Sequence, residues 1–344
     1  MVDQSGFSSG ARVLIVLASF VVVVAGMKSA QPLMTTFLLS GFFAIICAPP
    51  FLFMQHRGLP AWLSLIVIVL FIVVIQILFF TLIATSIADF TQQLPEYQAR
   101  LQTLFSSFVD HLSHLGVALP EAAIRDHFNP AFIFKFSANA LGSLGSVLSN
   151  SFMIILTVIF MLFEGVSLPL KLEKAFGKES LHLASFSRFI TTVKRYMTIK
   201  TSISLLTGVV IYLWLLVLGV DYALLWGVLA FFLNFVPNIG SIIAAVPAVL
   251  MALIQIGPWS ALFSGLGYFL VNMVVGNIIE PRYMGNGLGL STLVVFLSLV
   301  FWGWVFGPVG MLLSVPLTIL IKIALESSND TRWMAVLMGS EEKN

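Results

Sequence analysis

Apolar runs of roughly 20 residues, the length that crosses a bilayer core, recur along the chain with short polar links between them. Arg12–Met27 forms the first predicted span, and Lys28 to Pro32 makes a short turn. Leu33–Met54 is the second span, bent near Pro49 and Pro50. The link from Gln55 to Pro60 is punctuated by Gly58 and Pro60. Trp62–Ala84 is the third span, apolar apart from Ser64, Gln76 and Thr81. Val13–Gly26 has the length of a secretory signal core. Only Arg12 is basic before it and no Ala-x-Ala site comes after it, so an uncleaved span is expected.

The pattern changes at residue 86. Between 86 and 149, apolar residues fall at helical spacing (Leu94, Tyr97, Leu101, Leu104, Phe105, Phe108, Leu112) among Asp89, Glu96, Arg100, Asp110, Glu121, Arg125, Asp126 and Lys135. Amphipathic helices outside the bilayer core are expected there, with a loop near Asn129-Pro130 after them. They serve either as a membrane-surface or subunit contact or as a solvated connector. Ser151–Phe163 is a fourth span ending at Glu164, Leu168 to Lys200 is a second amphipathic segment, and Thr201–Val220 is a fifth span. The polar tail after Leu325 is expected to fray.

The segment from Asp221 to Leu325 repeats itself. WGVLAFFLNFVPNIGSIIAAVPAVL (226–250) and FLSLVFWGWVFGPVGMLLSVPLTIL (296–320) each hold an apolar run, a Pro/Gly interruption, a second apolar run and a Val-Pro pair. Between them lie the span Trp259–Ile279 and a polar run from Glu280 to Leu290. Tyr222–Ile256 as one straight helix would run about 52 Å, against a hydrocarbon core of about 30 Å. Each long stretch is therefore one tilted, kinked helix or a re-entrant hairpin of two half-spans. The interruptions fall near the centres, where a hairpin tip is needed, and Pro and Gly both break helices. Hairpins, the favoured geometry, make the repeat inverted and put Glu280–Leu290 in the cytoplasm; two plain kinked spans give eight crossings and put it outside.

The expected fold is thus an all-α polytopic membrane protein. It has five simple spans, a core of two broken, re-entrant helical stretches around one further span, and amphipathic extramembrane helices. The organisation reads as 1–85 (three spans), 86–149 (outward amphipathic segment), 150–220 (two spans with basic cytoplasmic helices), 221–325 (repeated core) and 326–344 (cytoplasmic tail).

Composition agrees with that class: 59% of residues are hydrophobic and 9% charged, where a soluble domain has about 25% charged. A formal charge of +2 gives no reason to expect nucleic acid. Segment 165–200 holds seven Lys/Arg, whereas 86–149 holds three beside five acids. Basic loops stay in the cytoplasm, so both termini are expected inside and 86–149 outside. Cys47 is the sole cysteine, so neither an intrachain disulfide nor a Cys metal site is expected.

Ionisable residues within spans are costly and prompt functional hypotheses, but few occur. The five histidines lie in links or polar segments, no phosphate loop is present, and no metal, cofactor or enzymatic chemistry is expected. What remains at the interruptions is neutral and polar: Asn234, Pro237, Asn238, Gly240 and Ser241 at the first, Asn272 and Asn277 on the intervening span, and Gly307, Pro308 and Gly310, with Ser298 and Ser314 on either side, at the second. Amides, hydroxyls and freed backbone groups suit a small, polar, uncharged solute. Each Asn or Ser taken singly can equally serve helix–helix packing. Glu280 and Arg282 are a candidate gating pair, provided they are buried, because an exposed pair is worth only about 0–1 kcal/mol. Gly285, Gly287 and Gly289 give the same link hinge freedom without a nucleotide fingerprint. A monovalent cation/proton antiporter, with Glu280 as the titrating carboxylate and Glu164 and Asp221 as other candidates, is the alternative. A non-transporting scaffold that uses the outward segment ranks below both.

The runs NFVPNIGSIIAAVPA, GNIIEPRYMGNGLGLSTLVVFLSLVFWGWVFGPVGMLLSVPLTILIKIALE and KRYMTIKTSISLLTGV resemble the bacterial autoinducer-2 exporter family, over essentially the whole chain. The family's motif falls on Asn234, Pro237, Gly240, Pro247, Asn277, Glu280, Pro281, Arg282, Gly285, Gly310 and Pro316. The resemblance implies an inner-membrane exporter of the furanone quorum signal, a homo-oligomeric, pentameric assembly in membrane lipid, and elevator-like movement of the broken core. The family also holds members that look like sodium/proton antiporters.

Overall fold

In lipid, backbone N–H and C=O groups are satisfied only within helices or closed barrels. The computed structural model describes residues 9–114, 151–177, 181–237, 239–284, 289–328 and 330–339, and no strand occurs among them. The helices are α1 (Ser9–Ser29), α2 (Gln31–His56), α3 (Ala61–His114), α4 (Ser151–Phe176), α5 (Leu181–Val217), α6 (Ala223–Leu233), α7 (Gly240–Gln255), α8 (Pro258–Val274), a π turn (Val275–Ile279), α9 (Glu280–Met284), α10 (Thr292–Leu312), α11 (Ser314–Glu326) and α12 (Arg332–Leu337).

Among the described residues, five stretches are long and apolar enough to cross a membrane: Gln31–His56, Ala61–Phe90, Phe186–Val217, Pro258–Ile279 and Thr292–Leu312. Shorter apolar parts lie in α1 (Leu14–Ser29) and α4 (Ser151–Gly165). Their outward faces stay oily; Leu14, Phe20, Phe152 and Phe160 are all more than half exposed, as lipid-facing side chains are. The chain is an all-α, multi-pass membrane protein. Thr292–Leu312 is not one straight rod, however, because Gly307 (φ 66°, ψ −148°) interrupts it.

Three boundaries differ from the sequence reading. The change to a polar pattern at residue 86 does not end a helix: α3 continues for 54 residues, about 80 Å, with Pro95 accommodated inside it. Helical spacing simply passes from all-round apolar to amphipathic without a stop signal. The rest of the expected outward segment, 115–149, lies outside the described residues. The basic segment and the fifth span are likewise one helix, α5. The tail is folded as far as Gly339, because Ser291 donates its N–H to the Met338 carbonyl at 3.0 Å and Ala335 is buried.

Packing relies on small residues and aromatic edges. α2, α3 and α4 share a core around Phe51, Ile68, Ile154 and Val158. α5 and α6 approach so closely that a Cβ on Gly208 would lie 2.8 Å from the Gly227 carbonyl, and one on Gly227 would lie 2.7 Å from Tyr212 Cβ. Glycine at such crossings lets membrane helices gain backbone contact. α5 also meets α8, where the Trp214 indole donates to the Phe263 carbonyl at 3.1 Å and lies over Gly267.

The chain reverses twice. α6 and α7 start and end side by side: Asp221 N–H donates to Gln255 Oε1 at 2.8 Å, and Gln255 Nε2 donates to the Gly219 carbonyl at 3.2 Å. At the opposite end Gly240 sits against the Leu233 carbonyl with no room for a Cβ. α10 and α11 repeat this arrangement. Lys322 Nζ donates to the Gly289 carbonyl at the open end, and Trp302 Nε1 donates to Thr318 Oγ1 at 3.1 Å midway. At the turn Gly310 sits against the Trp302 carbonyl, again without room for a Cβ.

Candidate functional site

The first interruption occupies residues 234 to 239, between α6 and α7. Asn234 caps α6 and its Nδ2 donates to Ser204 Oγ on α5 at 3.0 Å. Pro237 lies in the turn, its carbonyl accepting from Ile239 N–H at 2.6 Å. Ser241 opens α7 half-buried, and Asn238 lies outside the described residues. Phe235 is almost fully buried and meets Phe42 of α2 edge-on, ring centroids 5.5 Å apart. The turn is therefore held from two sides, by a polar tether to α5 and an aromatic one to α2.

The second interruption centres on Gly307, whose positive φ suits glycine, and on Pro308, which cannot donate to the preceding turn. Trp302 and Phe306 stack beneath it, 5.6 Å apart and 7° from parallel. Phe42, Phe235, Leu313 and Val315 belong to one buried cluster, so α2 is common ground for both halves of the repeat.

The intervening element places its polar residues unevenly. Asn272 on α8 is half-buried, whereas Asn277 in the π turn is exposed. The π turn leads into a proline. Pro281 has no N–H to bond the Asn277 carbonyl, and just before it Glu280 N–H bonds the Val275 carbonyl, five residues back. The extra residue also rotates the start of α9, and such π turns are often found at functional positions.

That rotation decides the partner of Glu280. Its carboxylate accepts from Lys200 Nζ of α5 at 2.6 Å, with the lysine side chain 4% and the glutamate side chain 21% exposed. Arg282 is exposed and makes no ion pair among the described residues. The expected pairing of Glu280 with Arg282 is corrected accordingly: on a helix, positions two apart face different directions. Lys200 precedes Ser204 by one turn, so the ion pair and the Asn234 tether lie on adjacent turns of α5. In the sequence Lys200 looked like one more charge of the basic segment. The one signal that could have singled it out is its position at the edge of an apolar run, three residues after Met197.

Removing one member of a buried pair costs about 3–5 kcal/mol, because an unpaired charge is left behind. No cluster of three or more His, Cys, Asp or Glu side chains suited to a metal occurs among the described residues. The arrangement offers neutral hydrogen-bonding groups at a broken helix and one ion pair beside it, with no nucleophile or acid–base couple.

Comparisons with known proteins agree with that chemistry. Residues 17–330 match the family described as AI-2E family transporter. The chain is 38% identical to the AI-2 transport protein TqsA of Escherichia coli K12 over 97% of each chain. It is 43% identical to a putative transport protein of Haemophilus influenzae, covering 96% of this chain and 97% of the relative. It is 37% identical to the putative transport protein YhhT of Escherichia coli K12, covering 96% and 95%. These relatives are transport proteins and not enzymes. The match spans both interruptions, the Lys200–Glu280 contact and the three N-terminal helices, and on it the chain belongs to the AI-2E transporter family.

Proposed function

We propose that this protein exports autoinducer-2, or a small polar uncharged metabolite like it, across a bacterial inner membrane. The observation that carries the reading is the pair of reversed helices, each locked by a glycine against the carbonyl of its own first half and each lined by neutral groups. In this reading α6–α7 and α10–α11 are re-entrant hairpins entering from opposite faces, and they move with α8 in an elevator-like stroke. Half-helix ends and unpaired backbone near the midplane supply hydrogen bonds to a solute without a counter-ion. Both termini and the 280–290 link face the cytoplasm, in keeping with the basic bias of 165–200. The protomers assemble as a homo-oligomer, a pentamer by resemblance, with lipid around the exposed faces of α1 and α3. Lys200–Glu280 latches the mobile core to α5 in one end state.

The test is efflux of labelled autoinducer-2 from proteoliposomes. Wild type is expected to release the signal faster than protein-free vesicles. Asn234→Ala, which removes the Ser204 tether, is expected to slow release about tenfold, the loss of a positioning hydrogen bond at the site. Wild-type vesicles that retain the signal as long as empty ones do would end the proposal.

One observation favours a second reading. A carboxylate held beside a buried ammonium at the end of a membrane span, as Glu280 is beside Lys200 just after Pro258–Ile279, is the group a cation/proton antiporter needs. Sodium-driven proton movement into dye-loaded vesicles, abolished by Glu280→Gln, would replace export with antiport.

A further inference from the structure

Most hydroxyls on these helices bond back to their own backbone. Thr207 donates to the Ile203 carbonyl at 3.0 Å, Ser298 to Val295 at 2.8 Å and Thr318 to Ser314 at 2.7 Å. Two hydroxyls on α8 do not. Ser264 Oγ and Tyr268 OH are buried, in residues 0% and 4% exposed, and have no hydrogen-bond partner among the described residues. They lie at i and i+4, and Asn272, which likewise makes no hydrogen bond among the described residues, comes at i+8 on the same side of the helix. Other unpartnered hydroxyls occur singly on their helices; α8 is the described helix with two.

That face of α8 packs on the first reversed pair. Tyr268 is the buried α8 member of the cluster that α5, α6 and α7 form around Ile211, Trp226 and Ala248. One turn away, Val249 of α7 lies 3.7 Å from where a Cβ on Gly265 would stand. The buried α7 residues of that cluster include Ala244, Ala248 and Ala252, all 0% exposed and none carrying a donor or acceptor side chain. A buried hydroxyl left without a partner is costly, and such a group calls for an explanation. Neighbouring members of this row are about 6 Å apart along the axis, a spacing that one small ring bearing hydroxyl and carbonyl groups can bridge.

We infer that the Ser264–Tyr268–Asn272 face is a hydrogen-bonding slot for a neutral, hydroxyl-bearing solute, closed here where α8 packs on its neighbours and opened by a local separation of α7 from α8 before the core moves as a unit. The inference rests on the transport reading and deepens it by naming a solute-binding face away from both helix interruptions. The closed slot leaves its hydroxyls unpaired; a bound solute pairs them.

The experiment uses the full chain in lipid nanodiscs, titrated with furaneol, a neutral hydroxyfuranone, and reads the unfolding midpoint from tryptophan fluorescence. Furaneol is expected to raise the wild-type midpoint. Tyr268→Phe and Ser264→Ala, which remove only a hydroxyl, are each expected to weaken its apparent affinity about three- to tenfold while leaving the ligand-free midpoint unchanged or higher. Thr157→Val, which removes a back-bonded hydroxyl on α4, is expected to keep wild-type affinity. A wild-type midpoint that furaneol does not move, as expected if the hydroxyls hold only water, overturns the slot. So does wild-type affinity retained in both hydroxyl variants. Vesicles that fail to release autoinducer-2 while the furaneol shift and its loss in Tyr268→Phe persist would remove the exporter reading and leave the slot standing.

Discussion

Lys200 and Glu280, eighty positions apart in the chain, meet at 2.6 Å where the π turn delivers the carboxylate to α5. With 4% and 21% of their side chains exposed, they form the driest ion pair among the described residues; the others involve at least one partner above a quarter exposed.

Removing either charge alone should therefore be worse than removing both. Lys200→Met and Glu280→Gln are each expected to destabilise the protein by about 3–5 kcal/mol, while the double variant recovers most of that loss. Thermal unfolding of the three variants in one detergent measures the coupling. If the pair is also the latch, the double variant folds yet shows an altered efflux rate; additive losses would show that the two charges do not depend on each other.

The glycines at the two turns give a second, sharper expectation. A Cβ on Gly240 or Gly310 would collide with a backbone carbonyl of the preceding half-helix, which cannot rotate aside. Gly240→Ala and Gly310→Ala should each cost at least about 1–3 kcal/mol, the usual range for overpacking, or fail to fold. Gly265→Ala meets only Val249 Cγ2 at 3.7 Å, an ordinary contact, and should be neutral or stabilising by up to about 1 kcal/mol. Yield of monodisperse protein and the unfolding midpoint separate the two groups.

These contrasts mark how much of the molecule is legible from its residues. Pro237, Gly240, Gly307 and Pro308 announce their interruptions because their backbone chemistry is local. The length of α3 is not legible: the residues around position 86 change polarity but contain no cap or glycine stop, and Pro95 proves tolerable. Lys200 reads as a solvent charge because its neighbours Lys194 and Arg195 are charged, whereas its partner lies far along the chain. Glu280 is visible as a candidate, but not the turn that aims it, since the missing N–H of Pro281 does not by itself say whether a helix ends, kinks or widens into a π register. Ser264 and Tyr268 pass for ordinary packing residues until their hydroxyls prove to be two unpartnered groups on one helix, one turn apart.

The polar extension of α3 beyond residue 86 docks on the open end of the first reversed pair and brings a pH dependence. Tyr97 OH lies 2.5 Å from Gln93 Oε1 and 3.2 Å from Asp221 Oδ2, and Arg100 donates to the Gln255 carbonyl at 2.8 Å. Burial, then Tyr222, then Asp221 push the Tyr97 hydroxyl upward from its ordinary value. The unfolded value is about 10. A folded value raised above it means that the contact contributes fully below pH about 10 and is lost as pH rises beyond. Wild type should therefore exceed Tyr97→Phe in unfolding midpoint by a constant margin from about pH 6 to 9, equivalent to about 0.5–1.5 kcal/mol, and the margin should shrink above pH about 10. A margin that shrinks on acidification instead would assign the contact to the ionisation of Asp221.

The side on which the 280–290 link lies distinguishes paired re-entrant helices from eight plain crossings. Lys200 on the basic helix α5 binds Glu280 at one end of the link, and Lys322 of α11 binds the Gly289 carbonyl at the other. Both lysines belong to segments that the positive-inside bias assigns to the cytoplasm, so the link should lie there. Tyr283 is 67% exposed and suits a probe, while Cys47 is buried. In a Cys47→Ala background, Tyr283→Cys should react with a membrane-impermeant maleimide in inside-out vesicles and stay unlabelled in intact spheroplasts. Labelling from the outside alone would require α6–α7 and α10–α11 each to cross the membrane completely. The two interruptions would then lie midway along single kinked spans instead of at hairpin tips, and the re-entrant reading would fall.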